Sequence, residues 1–241
     1  DAGVLGSPFT NETAISKDHF MYTRSMAPEY VPYYLAGARL TYPLTSKLTG
    51  YAYVLNGWQQ IYDQNNSLSF ATQLEYKSAK NFLINWDTYV GNEKSTVSPE
   101  NRMRYFSDVY AIINLNKKWS ATSCVYAGVQ QRLDSLSQKL INKTWWQANV
   151  VVKYTINQHH NLAARIEYFE DLNHVVTNIE TLAVKGFNSY SAGLCFNKKI
   201  TDNALFRLEG RHFFSNRNVY LKNTTPTNNS SLLITNLTVW F

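Results

Sequence analysis

The chain ends on Leu232-Leu-Ile-Thr-Asn-Leu-Thr-Val-Trp-Phe241, and Leu233, Leu237, Val239 and Phe241 all fall on one side of a strand. Alternation at period two gives that strand one apolar face and one polar face. Working back from it, similar segments recur at 33–43, 47–57, 67–77, 81–91, 104–115, 119–131, 144–156, 161–170, 186–197, 203–214 and 232–241. Residues 1–6, Asp1-Ala-Gly-Val-Leu-Gly, read as the end of one further strand. The connections alternate strictly. Short turns contain Leu44-Thr-Ser46, Ser78-Ala-Lys80, Asn116-Lys-Lys118, Asn157-Gln-His-His160 and Lys198-Lys-Ile-Thr-Asp202. The long connections 58–66, 92–103, 132–143, 171–185 and 215–231 are rich in Asn, Ser, Thr and charge. All the long loops therefore gather at one end of the molecule. Outer-membrane barrels have that asymmetry, and a soluble sandwich has no reason for it.

Composition supports a membrane wall made of strands. The 241 residues are 44% hydrophobic with a mean hydropathy of −0.34, and no apolar run approaches the ~18 residues a membrane helix needs. A barrel strand needs only every second residue apolar, so its average hydropathy looks soluble. Seventeen Tyr, twelve Phe and six Trp suit strands and interfacial girdles, and Trp58, Trp119, Trp145 and Trp240 lie near expected strand ends. The net charge of +6 is spread along the whole chain without a basic run, which speaks against nucleic acid as a partner. Cys124 and Cys195 form neither a disulfide framework nor a metal motif. The five His are scattered and no nucleophile motif occurs, so no catalytic residue, metal or cofactor is expected. Glu170-Asp171 with Asn173, and Asp63 with Asn65, lack the spacing of a recognised calcium loop.

The fold expected is a transmembrane antiparallel up-and-down β-barrel spanning residues 1–241 as one domain, with the C-terminus in the periplasm. Facing follows from alternation. Leu68, Phe70, Leu74 and Tyr76 point outward, as do Tyr105, Val109 and Ile113, and Trp146, Val150, Val152 and Tyr154. In 47–57 the pattern blurs, because Tyr51, Tyr53 and Leu55 sit on the nominally polar face. The inward set supplies the pore-lining candidates. On early strands these are Glu75, Lys77, Asp87 and Asp108; on later strands they are Arg132, Lys153, Arg165, Glu167, Arg207, Glu209 and Arg211. They predict opposed acidic and basic walls with a mild anion preference, or alternatively ion-pair ladders that stiffen the wall. Residues 7–32 form the longest connection, which is either a constriction loop presenting Glu12, Lys17, Asp18, Arg24 and Glu29 or an external cap.

Three stretches go beyond this grammar. They are Ser7-Pro-Phe-Thr-Asn-Glu-Thr-Ala-Ile-Ser16 continued by Tyr22-Thr-Arg-Ser-Met-Ala-Pro28 and Val31-Pro-Tyr-Tyr-Leu35; Leu55-Asn-Gly-Trp-Gln-Gln60; and Asn85-Trp-Asp-Thr-Tyr-Val-Gly-Asn-Glu93. Together they resemble the OmpL-like β-barrel porin family of Bacteroidota outer membranes. The resemblance implies a Gram-negative outer-membrane channel and carries over no catalytic residue. Eleven complete strands, or twelve with residues 1–6, lead us to expect the C-terminal part of a barrel of about fourteen to sixteen strands, since single-chain bacterial barrels close on even numbers.

The function expected is a porin allowing passive diffusion of small hydrophilic solutes or ions through a charged lumen. The alternative is a plugged accessory barrel that binds partners within a larger outer-membrane complex. Expected partners are outer-membrane lipid and lipopolysaccharide, the barrel-assembly machinery that reads the terminal Phe241, and a homo-oligomer or accessory subunits.

Overall fold

A computed structural model of the chain describes residues 1–78, 81–96, 99–134, 136–177 and 184–241. Residues Ala79 and Lys80 of the turn expected after 67–77, and parts of the connections 92–103, 132–143 and 171–185, lie outside the described residues. Among the described residues one antiparallel sheet holds twelve strands, each hydrogen-bonded to its neighbour in sequence order. They are β1 (Ala2–Gly6), β2 (Tyr34–Pro43), β3 (Leu48–Leu55), β4 (Ser69–Lys77), β5 (Phe82–Asn92), β6 (Met103–Asn114), β7 (Trp119–Leu133), β8 (Leu140–Thr155), β9 (His160–Asp171), β10 (Phe187–Thr201), β11 (Ala204–Phe214) and β14 (Asn229–Val239). A small hairpin, β12 (Tyr220–Lys222) and β13 (Thr225–Thr227), sits in the last long connection, where the sequence reading placed only loop. The sheet is the up-and-down wall expected, and β1 and β14 do not pair with each other.

Strand boundaries shift where pairing outruns hydrophobic pattern. β7 and β8 stay in register as far as Leu133 opposite Leu140, so both reach into the expected loop 132–143. β14 begins at Asn229 because Phe214 of β11 pairs with it, three residues before the apolar pattern starts.

Exposure alternates along the strands as the sequence predicted. β7 alternates exposed or half-exposed residues with buried ones from Trp119 to Gln130. The outward residues are mostly apolar, and the inward ones are largely polar or small except toward the long-loop end, where Tyr53, Tyr89, Phe106, Tyr126, Trp145 and Phe169 are buried. Two aromatic rows bound the outer face. Trp119 and Tyr154 stand 4.7 Å apart at the short-turn end, and Trp146, Tyr168 and Tyr190 stand 4.9 and 4.4 Å apart at the long-loop end. From Trp146 to Tyr154 is eight residues of β8, roughly 26 Å along the strand and roughly 20 Å in height at the usual barrel tilt, close to the height of an apolar membrane belt.

Trp58 and Trp145 do not join these rows, contrary to the sequence expectation. Trp145 neighbours the outward Trp146 and so points inward, fully buried. Space for it comes from Gly128, its register partner on β7, where a Cβ would lie 2.1 Å from the indole. Trp58 lies over the inner face, stacked on Phe9 at 5.7 Å and edge-on to Phe106 at 5.1 Å. These rings belong to a hydrophobic core between the sheet and residues 7–33, with Val31, Leu35, Tyr53 and Leu55 in it. The blurred pattern of 47–57 is thereby explained: Tyr53 and Leu55 face inward and are buried against the crossing segment rather than exposed to water.

Candidate functional site

Residues 7–33 leave β1 at the long-loop end and return to β2, and between these points they lie against the inner face of the sheet. Two short 3-10 turns, Ser16–Asp18 and Pro28–Tyr30, are their only regular structure. A segment with so little internal hydrogen bonding must satisfy its peptide groups elsewhere. It does so on charged side chains of the wall.

Carboxylates take its amides. Glu209 Oε2 accepts the N–H of Tyr22 at 2.8 Å and of Thr23 at 2.9 Å, and Glu209 Oε1 accepts the Thr23 hydroxyl. Glu167 Oε2 accepts from Met26 N at 2.6 Å, and Asp108 Oδ2 from Thr10 N at 2.7 Å. Glu12, within the segment, binds Ser25 N at 2.7 Å and holds the fold of the crossing together. Guanidinium groups take its carbonyls. Arg165 donates to Thr23 O at 2.7 Å, Arg207 to Met21 O at 3.1 Å and Ser16 O at 2.8 Å, and Arg211 to Arg24 O at 3.0 Å.

The later-strand charges also neutralise one another. Arg165 lies 3.1 Å from Glu167, 3.4 Å from Glu209 and 4.0 Å from Glu12, and Arg211 is paired with Glu167. All of these side chains are buried, so the pairs are desolvated and each partner needs the other. Arg165, Glu167, Glu209 and Arg211 therefore form one network joined to Glu12, with Arg207 beside it on the same segment. The sequence left a basic wall and ion-pair ladders both open; here Arg165, Glu167, Glu209 and Arg211 are paired with one another.

The early-strand acids sit differently. Asp87 and Asp108 are directly opposite in the β5–β6 register and both are buried. Both oxygens of Asp87 and Oδ1 of Asp108 have no hydrogen-bond partner among the described residues. Glu75 is half-buried and Lys77 exposed, both toward the short-turn end of β4. Lys153 places its ammonium 4.2 Å from the Phe20 ring centroid, and Arg132 donates to Val175 O at 3.0 Å.

The crossing segment also leaves charges open to solvent. Lys17 and Asp18 project from the first 3-10 turn. Arg24 pairs with Glu29 at 2.8 Å while both stay partly solvated, and the Tyr33 hydroxyl donates to Glu29 at 2.9 Å. Burial, helped by that hydrogen bond, pushes the Tyr33 phenol up to about 12. A cavity of about 510 Å³ opens beside the pair, bordered by His19, Tyr22, Arg24, Glu29 and Phe213. Glu12 is the exception among the loop candidates, since it is buried and turned toward the wall.

Sequence reasoning missed the uncharged anchors. Asn11 donates to Thr122 and Asn149 at 3.0 Å, Asn197 to Phe20 O at 3.1 Å, and the Tyr126 hydroxyl to Ala27 O at 3.3 Å. The wall residues share one legible signal: each is polar at an inward position. The two weak calcium candidates are turn caps instead. Asp171 binds the amides of Val175, Val176 and Thr177, and Asp63 those of Asn65 and Ser67.

A sequence profile described as "Putative beta-barrel porin-2, OmpL-like" matches residues 1–241. Among curated proteins none matches by sequence. Among solved structures, the outer membrane channel DcaP of Acinetobacter baumannii superposes with a TM-score of 0.67 at 10% identity, over 98% of this chain and 70% of that one. The NanC porin in a rhombohedral crystal form matches with a TM-score of 0.47 at 11% identity, over 86% of this chain and 93% of that one.

Proposed function

The chain belongs to the OmpL-like β-barrel porin-2 family of outer-membrane proteins, and from that premise we propose that it conducts small hydrophilic solutes or ions passively through a lumen narrowed by residues 7–32. One observation carries this reading. The segment is fastened to the wall through its backbone, while Asp18 and Glu29 stay exposed, Arg24 is half-buried against Glu29 and Tyr33, and Lys17 is exposed with its ammonium 5.8 Å from the Trp240 ring centroid. Selectivity then comes from these four side chains more than from Arg165, Glu167, Glu209 and Arg211 of the wall, which are buried and paired with one another. Two cations against two anions predict weak ion selectivity, a change from the anion preference read from the wall alone.

In this reading the short turns and Phe241 face the periplasm and the long loops face outward, with the exposed Phe241 presented to the assembly machinery. No nucleophile with a base takes part. His19 commits its Nε2 proton to Thr13 O at 2.6 Å, and the cavity beside it serves passage or transient binding.

The test is single-channel recording of the protein in planar bilayers. Nanosiemens-scale steps of weak selectivity, shifted toward cations by Arg24→Glu, support the channel. The density of contacts between segment and wall favours a second reading, a plugged accessory barrel. Protein that shows heat-modifiable migration on gels yet carries no current would establish that reading and overturn the first.

A further inference from the structure

The outer face of the sheet carries an amphipathic recess that the channel does not use. On the outward side of β8 to β11 the register builds cross-strand rows. Tyr154, Leu162, Phe196 and Leu208 form one row, and Val152, Ala164, Leu194 and Gly210 form the next toward the long-loop end. Ala164 and Gly210 are too small to fill the second row, and they leave a recess of about 610 Å³ between Trp119 on one side and Leu233 on the other. Its lining is almost wholly apolar, and it lies inside the belt that meets lipid.

The row on the other side of Phe196, toward the short turns, is of opposite character. It places Lys198 of β10 beside His160 of β9. The His160 ring stacks on Phe196 with centroids 5.6 Å apart, and its Nδ1 lies 3.1 Å from Asn157 Oδ1. Lys199, one residue on, is paired with Asp202 at 2.6 Å, but Lys198 has no ion-pair partner among the described residues. Lys117 and Lys118 precede Trp119 at the same rim. From Lys198 to Leu194 is four residues, roughly 13 Å along the strand. A free cation at the aromatic girdle thus stands one short acyl segment from an apolar trough.

We infer that this recess is a binding site for one anionic phospholipid, with its phosphate against Lys198 and His160 and an acyl chain across Ala164 and Gly210. Both ends of the site point to that occupant. An apolar trough alone would suit any hydrocarbon or the wall of a second copy, but an unpaired ammonium facing the headgroup layer selects negative charge. The site rests on the chain being a membrane barrel and is independent of whether the barrel conducts.

The experiment is native mass spectrometry of the protein exchanged into micelles doped with phosphatidylglycerol or phosphatidylcholine, with conductance recorded on the same samples. One retained phosphatidylglycerol per chain is expected, preferred over phosphatidylcholine. Lys198→Gln reduces that preference about fivefold, the factor expected for one surface cation near an anionic layer. Gly210→Val fills the trough; a Cβ there meets only Leu233 Cδ1 at 3.9 Å, so the variant folds and loses retention of both lipids. Conductance stays unchanged in both variants. Equal retention of the two lipids, no retention by a folded barrel, or an oligomer that seals the recess without lipid would each overturn the assignment. A silent channel with intact lipid selectivity would instead count against the porin reading alone.

Discussion

Replacing Glu209 by Gln tests whether the wall charges exist to hold residues 7–33. The carboxylate accepts two backbone amides at 2.8 and 2.9 Å and one hydroxyl from the segment, and it also neutralises Arg165. A hydrogen bond to a charged group contributes ~1.5–3 kcal/mol net, and leaving a buried cation short of its partner adds to the loss. Glutamine keeps the shape and one acceptor oxygen but not the charge, so we expect the anchorage of residues 16–26 to weaken by ~2–4 kcal/mol. Where exchange proceeds by local opening, that is a rise of about 30- to 1,000-fold in amide exchange. Hydrogen–deuterium exchange with peptide-level mass spectrometry in detergent reads it directly. Peptides over 16–26 should accelerate while those of β7 to β9 stay protected, and single-channel current should become noisier. Glu170→Gln is the control, because Glu170 faces outward and among the described residues its side chain bonds Trp146 and Tyr168 rather than the crossing segment. Exchange over 16–26 within about twofold of wild type, in a protein that remains folded, would refute the anchoring argument.

Asp87→Asn should stabilise the protein, most at alkaline pH, since two buried carboxyls directly opposite on neighbouring strands cannot both ionise without repulsion, whereas an amide donates to the unpartnered Asp108 oxygen at any pH; a lower urea midpoint at about pH 9 would contradict this. Gly128→Ala drives a methyl into Trp145 and should cost ~1–3 kcal/mol in thermal or urea unfolding, with Trp145→Phe in the same chain recovering part of it. Asp134 accepts the amides of Ser137 at 2.7 Å and Leu136 at 3.0 Å, and the Ser137 bond in particular holds its carboxyl below the ordinary aspartate range. Because that value is depressed, the turn's contribution is present above the ordinary aspartate pKa and fades as pH falls through the lower folded value. The amide of Ser137 should lose protection in that acid window and at no higher pH.

The strand wall was legible because two solvents imprint themselves on alternate residues. Leu233, Leu237 and Val239 on one side, or Ser120, Thr122 and Cys124 on the other, record which face meets lipid. The crossing segment was legible in position and length but not in attachment. Its ligands to Glu209, Glu167 and Arg207 are peptide groups, and every residue offers the same N–H and C=O. Nothing in the identity of Tyr22 or Met21 announces the contact. Trp145 shows a different limit. Its neighbour Trp146 already faced outward by alternation, and Gly128 across the ladder marked the space, but a strand-end position suggested a girdle. The lipid-facing recess depends on register, which sets Ala164 and Gly210 in one row although 46 residues separate them in sequence.

A constriction clasped by its main chain separates two histories within one protein. Substitutions at Asp18, Arg24 or Glu29 leave the backbone contacts to the barrel in place, so the filter can drift toward new solutes while the scaffold stays under separate selection. The same partition offers an engineer an exchangeable insert: a pore whose preference is rewritten at a few exposed positions, in a frame that need not be redesigned each time.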